Sequence, residues 1–323
     1  MPNTYAIGID IGGTKIAGGV VSAEGSLVEK VEVPTASQQQ NIIDFLIATI
    51  RHLRTLHPAV QSIGIGAAGL VEWPSGLIRW APNNSYKQLP VRDVVAEATG
   101  LPTVVDNDAN AAAWAEAFVG GDRSYTNLAY LTIGTGVGGG LVLAGELYRG
   151  PSGLGAEVGH LIVDPNGAIC GCGNRGCLEA MASGTALERL ARRSITNDPD
   201  TQLALLAKRS GGVTGQIVFE AAQNGDPEAR ALFEEIGYWL GIGIASLVNI
   251  FELEVVVVGG GVGATGRLLI EPASKSCLLH AFAPKYRLVP PLIQSIYGVD
   301  AGLIGAALLS MSAVETDIGS GKE

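Results

Sequence analysis

Short apolar runs broken by glycine recur along the chain, separated by stretches with apolar residues at helical spacing. Tyr5 to Ile11 (YAIGIDI) and Ile16 to Val21 are apolar runs on either side of Gly12, Gly13, Thr14 and Lys15. That pattern predicts a strand, a tight turn and a second strand. Leu27 to Val33 continues the meander, and Ile42 to Leu56 carries Ile42, Ile43, Leu46, Ile47, Ile50 and Leu53 at the spacing of a one-sided helix. Ser62 to Ala68 and Leu101 to Val105 read as further strands, the first followed by Gly69. After DNDAN, Asp106 to Asn110, an alanine-rich stretch predicts a helix that starts at Asp108. Asn127 to Ile133 and Leu141 to Ala144 repeat the opening pattern around Gly134, Thr135 and Gly136. Two such tips, each opening a meander, predict an internally duplicated α/β fold. Pro227 to Phe251 is a long helix with Asp226 as its cap. Leu253 to Val258 is a wholly apolar strand running into GGGVG, Gly259 to Gly263. Ala301 to Ser312 forms the last helix, and the polar tail from Ala313 is expected to be disordered.

The glycine tips can present backbone N–H groups to phosphate oxygens with no side chain in the way. Asp10, at the end of the first strand, is placed to hold a hydrated magnesium ion. An ordinary Gly-Gly hairpin explains the first tip equally well, so the pairing of two tips carries the argument. Asp108 reads either as a helix N-cap or as a general base. A helix N-terminus favours carboxylate over carboxylic acid, so Asp108 is expected to be ionised at neutral pH. Gly69 marks a place where a ligand can approach the backbone. Asn83 and Asn84, in a loop after Pro82, offer donor and acceptor to a sugar hydroxyl, although loop asparagines also serve turns.

The stretch Gly155 to Glu179 (GAEVGHLIVDPNGAICGCGNRGCLE) holds three of the four cysteines and one of the four histidines. Cys170, Cys172, Cys177 and His160 supply three thiolates and an imidazole, the donor set of a closed tetrahedral zinc site. Gly171, Gly173 and Gly176 allow so short a loop to fold its sulfurs inward. A disulfide or free buried thiols are the alternative readings. Glu157 and Glu179 bracket the four donors, so a bound metal would also direct two carboxylates.

A length of 323 residues with 47% hydrophobic and 16% charged residues allows two domains with substantial cores. The formal net charge of −10, with no basic run, argues against nucleic-acid or anionic-membrane partners. The first strand begins near Thr4, leaving no room for a signal peptide, and no apolar run approaches a membrane span. A cytoplasmic location is expected.

Several motifs resemble, in order and spacing, the ROK group of repressors and sugar kinases within the actin and hexokinase superfamily. They are DIGGTK (Asp10 to Lys15), the END-like DNDAN, GTGVGGG (Gly134 to Gly140), AEVGH (Ala156 to His160), CGCGNRGCLE (Cys170 to Glu179) and VVGGGV (Val257 to Val262). The resemblance implies an actin/hexokinase-like ATPase fold with a cleft between two α/β domains. Residues 1–122 with 301–323 would form the smaller domain and 123–300 the larger. It implies MgATP held by Asp10, Gly12, Gly13, Thr14, Lys15, Thr135, Gly136, Gly260 and Gly261. It implies a hexose held by Gly69, Asn83, Asn107, Asp108, Glu157, His160 and Glu179, with Asp108 deprotonating the 6-hydroxyl. His160 would bind structural zinc through one ring nitrogen and sugar through the other. Glu157 in AEVGH matches the family's glucose-type pattern, with N-acetylmannosamine or N-acetylglucosamine as rival substrates. The resemblance also implies a homodimer or tetramer. Repressors of this group carry a helix-turn-helix before the first strand, which the early strand and acidic balance do not favour here.

Overall fold

A computed structural model of the chain describes residues 4–13, 15–34, 39–81, 87–118 and 125–320. Thr14 and Asn83 lie outside the described residues. A meander of β1 (Tyr5–Ile11), β2 (Lys15–Ser22) and β3 (Leu27–Pro34) is extended by β4 (Val60–Ala67). Three short strands follow, β5 (Leu70–Glu72), β6 (Leu77–Trp80) and β7 (Lys87–Pro90), which form a small sheet of their own. β8 (Thr103–Asn107) then completes the first sheet in the order β3-β2-β1-β4-β8, with β4 parallel to both β1 and β8. The second sheet uses β9 (Leu128–Ile133), β10 (Val137–Leu143), β11 (Glu146–Tyr148), β12 (Val255–Gly259) and β13 (Leu292–Gln294). Its order is β11-β10-β9-β12-β13, with β12 parallel to both β9 and β13. Each sheet thus runs third, second, first, fourth, fifth in its own strand sequence. The duplication expected from the two glycine tips is present in the topology.

The helix Gln39–Leu56 lays Ile42, Leu46, Ile50 and Leu53, all fully buried, into the core under the first sheet. Each such side chain contributes about 1.5–3 kcal/mol relative to exposure. The helix Ala301–Ser320 approaches the same sheet so closely that side chains there are excluded. A Cβ on Gly8 would lie 2.0 Å from the Leu303 carbonyl oxygen, and one on Gly64 would lie 1.7 Å from that of Ala306. The helix Asp108–Phe118 packs against it in turn. A Cβ on Gly305 would lie 1.7 Å from the Ala111 oxygen, and Ala109, Ala111, Ala112, Ala113, Ala115 and Ala117 are buried. Alanine here is set by the close approach of backbones, not by helix propensity alone.

Two expectations are corrected. The tail is helical as far as Ser320, so disorder does not begin at Ala313. The helix Pro227–Phe251 is long and apolar enough to cross a membrane by length and composition. Its apolar residues, from Leu232 to Val248, are instead largely core of the second unit.

The chain divides into two compact units, one of Met1–Thr126, Gly140–Ala156 and Val299–Glu323, the other of Asn127–Gly139 and Glu157–Gly298. Gly140–Ala156 clusters with the first unit because it is tied there on both sides. Gly140 abuts Ala109 and Ala113, and Arg149 is ion-paired with Asp106.

Candidate active site

In the first unit, β1 and β8 end side by side with β4 between them, which brings Asp10 and the Asp106–Asp108 turn to one edge. Asn107, not Asp108, does the capping work. Its Oδ1 accepts from the backbone N–H of Ala109 at 2.9 Å and of Asn110 at 3.1 Å, while its Nδ2 donates to the Gly69 carbonyl at 3.2 Å. Asp108 is the first helical residue and accepts from Ala109 N–H at 2.9 Å. Gly302 lies against both acids, since a Cβ there would be 3.4 Å from Asp10 Oδ2 and 3.6 Å from the Asp108 carbonyl oxygen.

Both carboxyls are shifted. Burial, and secondarily the charge of Asp108, push Asp10 up to about 7, with Lys15 acting in the opposite sense. Burial also raises Asp108, against the backbone N–H groups that lower it. The helix terminus is therefore not the only influence on this group: desolvation acts against it and sets the direction of the shift. A carboxylate raised from its ordinary range is the better proton acceptor at neutral pH.

The first tip is tighter than its glycines suggest. Gly12 N–H donates across the turn to the Lys15 carbonyl at 3.0 Å, Gly13 is exposed, and the Lys15 ammonium sits 2.8 Å from Glu32 Oε1. The second tip is braced from below. Glu179 Oε2 accepts from Val137 N–H at 3.2 Å, and a Cβ on Gly136 would lie 2.2 Å from that same oxygen. The Gly134 carbonyl accepts from Gly184 N–H at 2.7 Å, and the Thr135 carbonyl from the Thr185 hydroxyl at 2.7 Å. A cavity of about 560 Å³ opens beside this tip, lined by Thr135, Thr185, Glu188, Gln216, Gly261 and Thr265 among others. Gly260 serves packing instead: at φ +80° its Cβ would press into the Ile133 backbone at 2.6 Å.

The cysteine stretch lies in the second unit. The turn Val158–His160 packs on the start of β10, where a Cβ on Gly159 would meet the Val137 carbonyl at 1.9 Å. The Cys170 N–H donates to the Asn174 carbonyl and Gly173 N–H to the Cys170 carbonyl, making a tight knuckle. Gly173 and Gly176 take φ +94° and +70°, as the folding of this loop requires; Gly171 does not take positive φ. The four cysteines are free, and the donor atoms of His160, Cys170, Cys172 and Cys177 all lie within 4.8 Å of one another. Cys170 Sγ is 3.7 Å from His160 Nδ1, and Cys172 Sγ is 3.7 Å from Cys177 Sγ. Ligands about 2.0–2.3 Å from a tetrahedral zinc stand roughly 3.3–3.8 Å apart, so the set has the right size. Burial pushes the Cys170 thiol up to about 12 and raises Cys177, whereas the backbone N–H of Asn174 lowers Cys172. Glu157 is exposed at the head of the turn, and Glu179 Oε1 is 3.6 Å from Cys170 Sγ.

Sequence reasoning passed over one cluster entirely, the ion pair of Asp106 with Arg149 stacked on Trp73. Its members are far apart in the chain and follow no motif. Only the unusual DND, with a charged residue in a strand that should be buried, pointed toward it.

The defining pattern of the ROK family matches residues 6–313. A glucokinase of Streptomyces coelicolor is 40% identical over 307 residues, 94% of this chain and 96% of that protein. An N-acetylmannosamine kinase of Escherichia coli is 35% identical over 316 residues, 95% of this chain and 99% of that protein. The crystal structure of a ROK family glucokinase from Streptomyces griseus in complex with glucose and AMPPNP superimposes with a TM-score of 0.86 at 38% identity, covering 95% of this chain and 99% of that one. With both glycine tips, the DND turn and the Cys/His knuckle standing in one duplicated fold that these proteins share, the chain belongs to the ROK family.

Proposed function

We propose that this protein is an ATP-dependent glucokinase, transferring the γ-phosphoryl group of ATP to the 6-hydroxyl of glucose. The observation that carries the reading is the division of labour at the DND turn. Asn107 caps the helix, which frees the Asp108 carboxylate, raised by burial, to accept a proton from a hydroxyl. Phosphoryl transfer asks mainly for positioning and charge neutralisation, and a single carboxylate base with glycine-rich phosphate loops suits that demand. The cavity beside Thr135 and Gly261 is the natural seat for the nucleotide, and Gly12, Gly13 and Lys15 of the first tip are assigned to its phosphates. Bound Mg²⁺ would neutralise charge on the phosphoryl oxygens; Asp10 would hold it through its water shell.

Glu157, His160 and Glu179 bind the sugar in this reading, as do Gly69, Asn83 and Asn107. His160, Cys170, Cys172 and Cys177 hold a structural zinc. With Nδ1 directed at the thiolates, the other ring nitrogen is left for a sugar hydroxyl, and the metal fixes the tautomer. The acidic balance and reduced thiols suit a cytoplasmic enzyme with no nucleic-acid or membrane partner, assembled as a homo-oligomer.

The likeness to glucokinases favours glucose over N-acetylmannosamine. A coupled assay across glucose, mannose, fructose and the N-acetylhexosamines tests this. Glucose is expected to give the highest kcat/KM; a higher value for N-acetylmannosamine would overturn the glucose assignment and leave the kinase assignment standing.

A further inference from the structure

The proposed reaction gives no task to the buried carboxylate of Asp106, which adjoins Asn107 and Asp108. Asp106 is 4% exposed, and three donors converge on it. Arg149 Nε donates to Oδ2 at 2.6 Å, while Oδ1 accepts from Asn107 N–H at 2.7 Å and from Asn110 Nδ2 at 2.9 Å. The Arg149 guanidinium carbon lies 3.8 Å from the centre of the Trp73 ring. Trp73 N–H donates to the Ser152 carbonyl, and Gly155 N–H to that of Arg149, so the loop carrying the arginine is itself pinned. From Trp73 the connections run through Arg149 and Asp106 to Asn107 and Asn110, the two residues that set the first turn of the helix bearing Asp108.

A buried ion pair is a poor way to gain stability. Desolvation costs several kcal/mol per ion, and well-packed apolar replacements are often equally stable or better. What such a pair supplies is direction. The guanidinium donates along a fixed axis and stacks flat on an aromatic face, so its carboxylate partner is held in one orientation. We propose that Trp73, Arg149 and Asp106 are a positioning clamp for the catalytic turn, holding Asp108 in line with the sugar hydroxyl without touching substrate themselves. The proposal rests on the reading of Asp108 as general base.

The experiment measures kcat and KM for Asp106→Asn, Arg149→Met and Arg149→Lys, each alone and combined with Asp108→Asn. A displacement on the order of 1 Å costs about 10²-fold in rate. Arg149→Met and Asp106→Asn are therefore expected to lose roughly 10–10²-fold in kcat, with KM for glucose and ATP within about threefold. Arg149→Lys keeps the charge but not the fork or the stacking, and should lose less, roughly tenfold at most. In the Asp108→Asn background none of the three should cost anything further, because the group they position is gone. Unchanged kcat in the single variants overturns the clamp, as does a loss that multiplies undiminished with Asp108→Asn. If neither arginine variant regains the parent's near-ultraviolet circular dichroism, the pair is a stability element and the proposal falls. Near-normal turnover of Asp108→Asn alone overturns the base assignment instead, so the two failures are distinct.

Discussion

The two glycine tips occupy equivalent places in equivalent sheets, yet they are supported in opposite ways. The tip after β1 closes on itself through Gly12 and Lys15, and the groups around it are acids, Asp10 and Asp108, crowded against Gly302. The tip after β9 is open to a cavity and held from below by Glu179 and from the side by Gly184 and Thr185. Duplication supplied two similar loops; in the proposed reading their neighbours suit one to proton transfer and the other to a ligand. The chemistry of such a tip follows from what packs against it more than from its own glycines.

The sharpest way to separate the two is Asp108→Asn. It should cut kcat by about 10²–10⁴-fold while leaving the affinity for a non-hydrolysable ATP analogue, read by calorimetry, within about threefold. Equal damage to both would mean that the tips are not separable. Cys172→Ser attacks the support of the other tip. It should abolish zinc binding, read by metal analysis against the parent, and raise the glucose KM roughly 10–10²-fold, with a smaller rise for ATP. A metal-free variant with parental kinetics would remove the organising role of the knuckle. Gly136→Ala puts a carbon 2.2 Å from Glu179 Oε2, so either the carboxylate or the tip must yield. KM should rise for both substrates, roughly tenfold, and a change confined to one of them would break the link drawn between the sugar-binding residues and the nucleotide seat.

The smallest effect concerns protons. Asp10 stands at about 7 in the folded chain, above its ordinary 3.8, mainly through burial and then through Asp108. The folded state therefore holds this proton more tightly than the unfolded one. The stability it contributes is fully present below about pH 4 and is lost as the pH rises through about 7. In magnesium-free buffer Asp10→Asn should melt a few degrees above the parent at pH 8 and together with it near pH 4. Added Mg²⁺ should lift the parent alone. Calorimetric scans across that range decide it, and a variant melting below the parent at pH 8 would place the cost elsewhere.

Much of this was written in local pattern. The apolar face of Ile42, Leu46, Ile50 and Leu53, the alternation of strand and glycine tip, and the Cys/His spacing each act over a few residues, so the sequence displays them directly. The small sheet of β5, β6 and β7 was not legible, because strands of three or four residues are too short to show a period. The helix Val91–Thr99 was missed although Gly100, in the left-handed conformation at φ +68°, marks its end. The raised carboxyl of Asp108 was not legible for a different reason. A helix terminus can be read from neighbours in sequence, whereas burial is set by elements that meet only in the fold. Arg149 was invisible on the same ground, as its partners Asp106 and Trp73 share no periodicity with it.

The close fit of Ala301–Ser320 on Gly8 and Gly64 has a consequence for the order of events at the ribosome. The strands of the first sheet are synthesised well before the covering helix and Gly302. The unit holding the Cys/His knuckle is largely complete before then, while the unit holding Asp10 and Asp108 waits with an uncovered sheet face. A nascent chain therefore completes the Cys/His knuckle before the surroundings of Asp10 and Asp108, and chaperone dependence should concentrate on that interval.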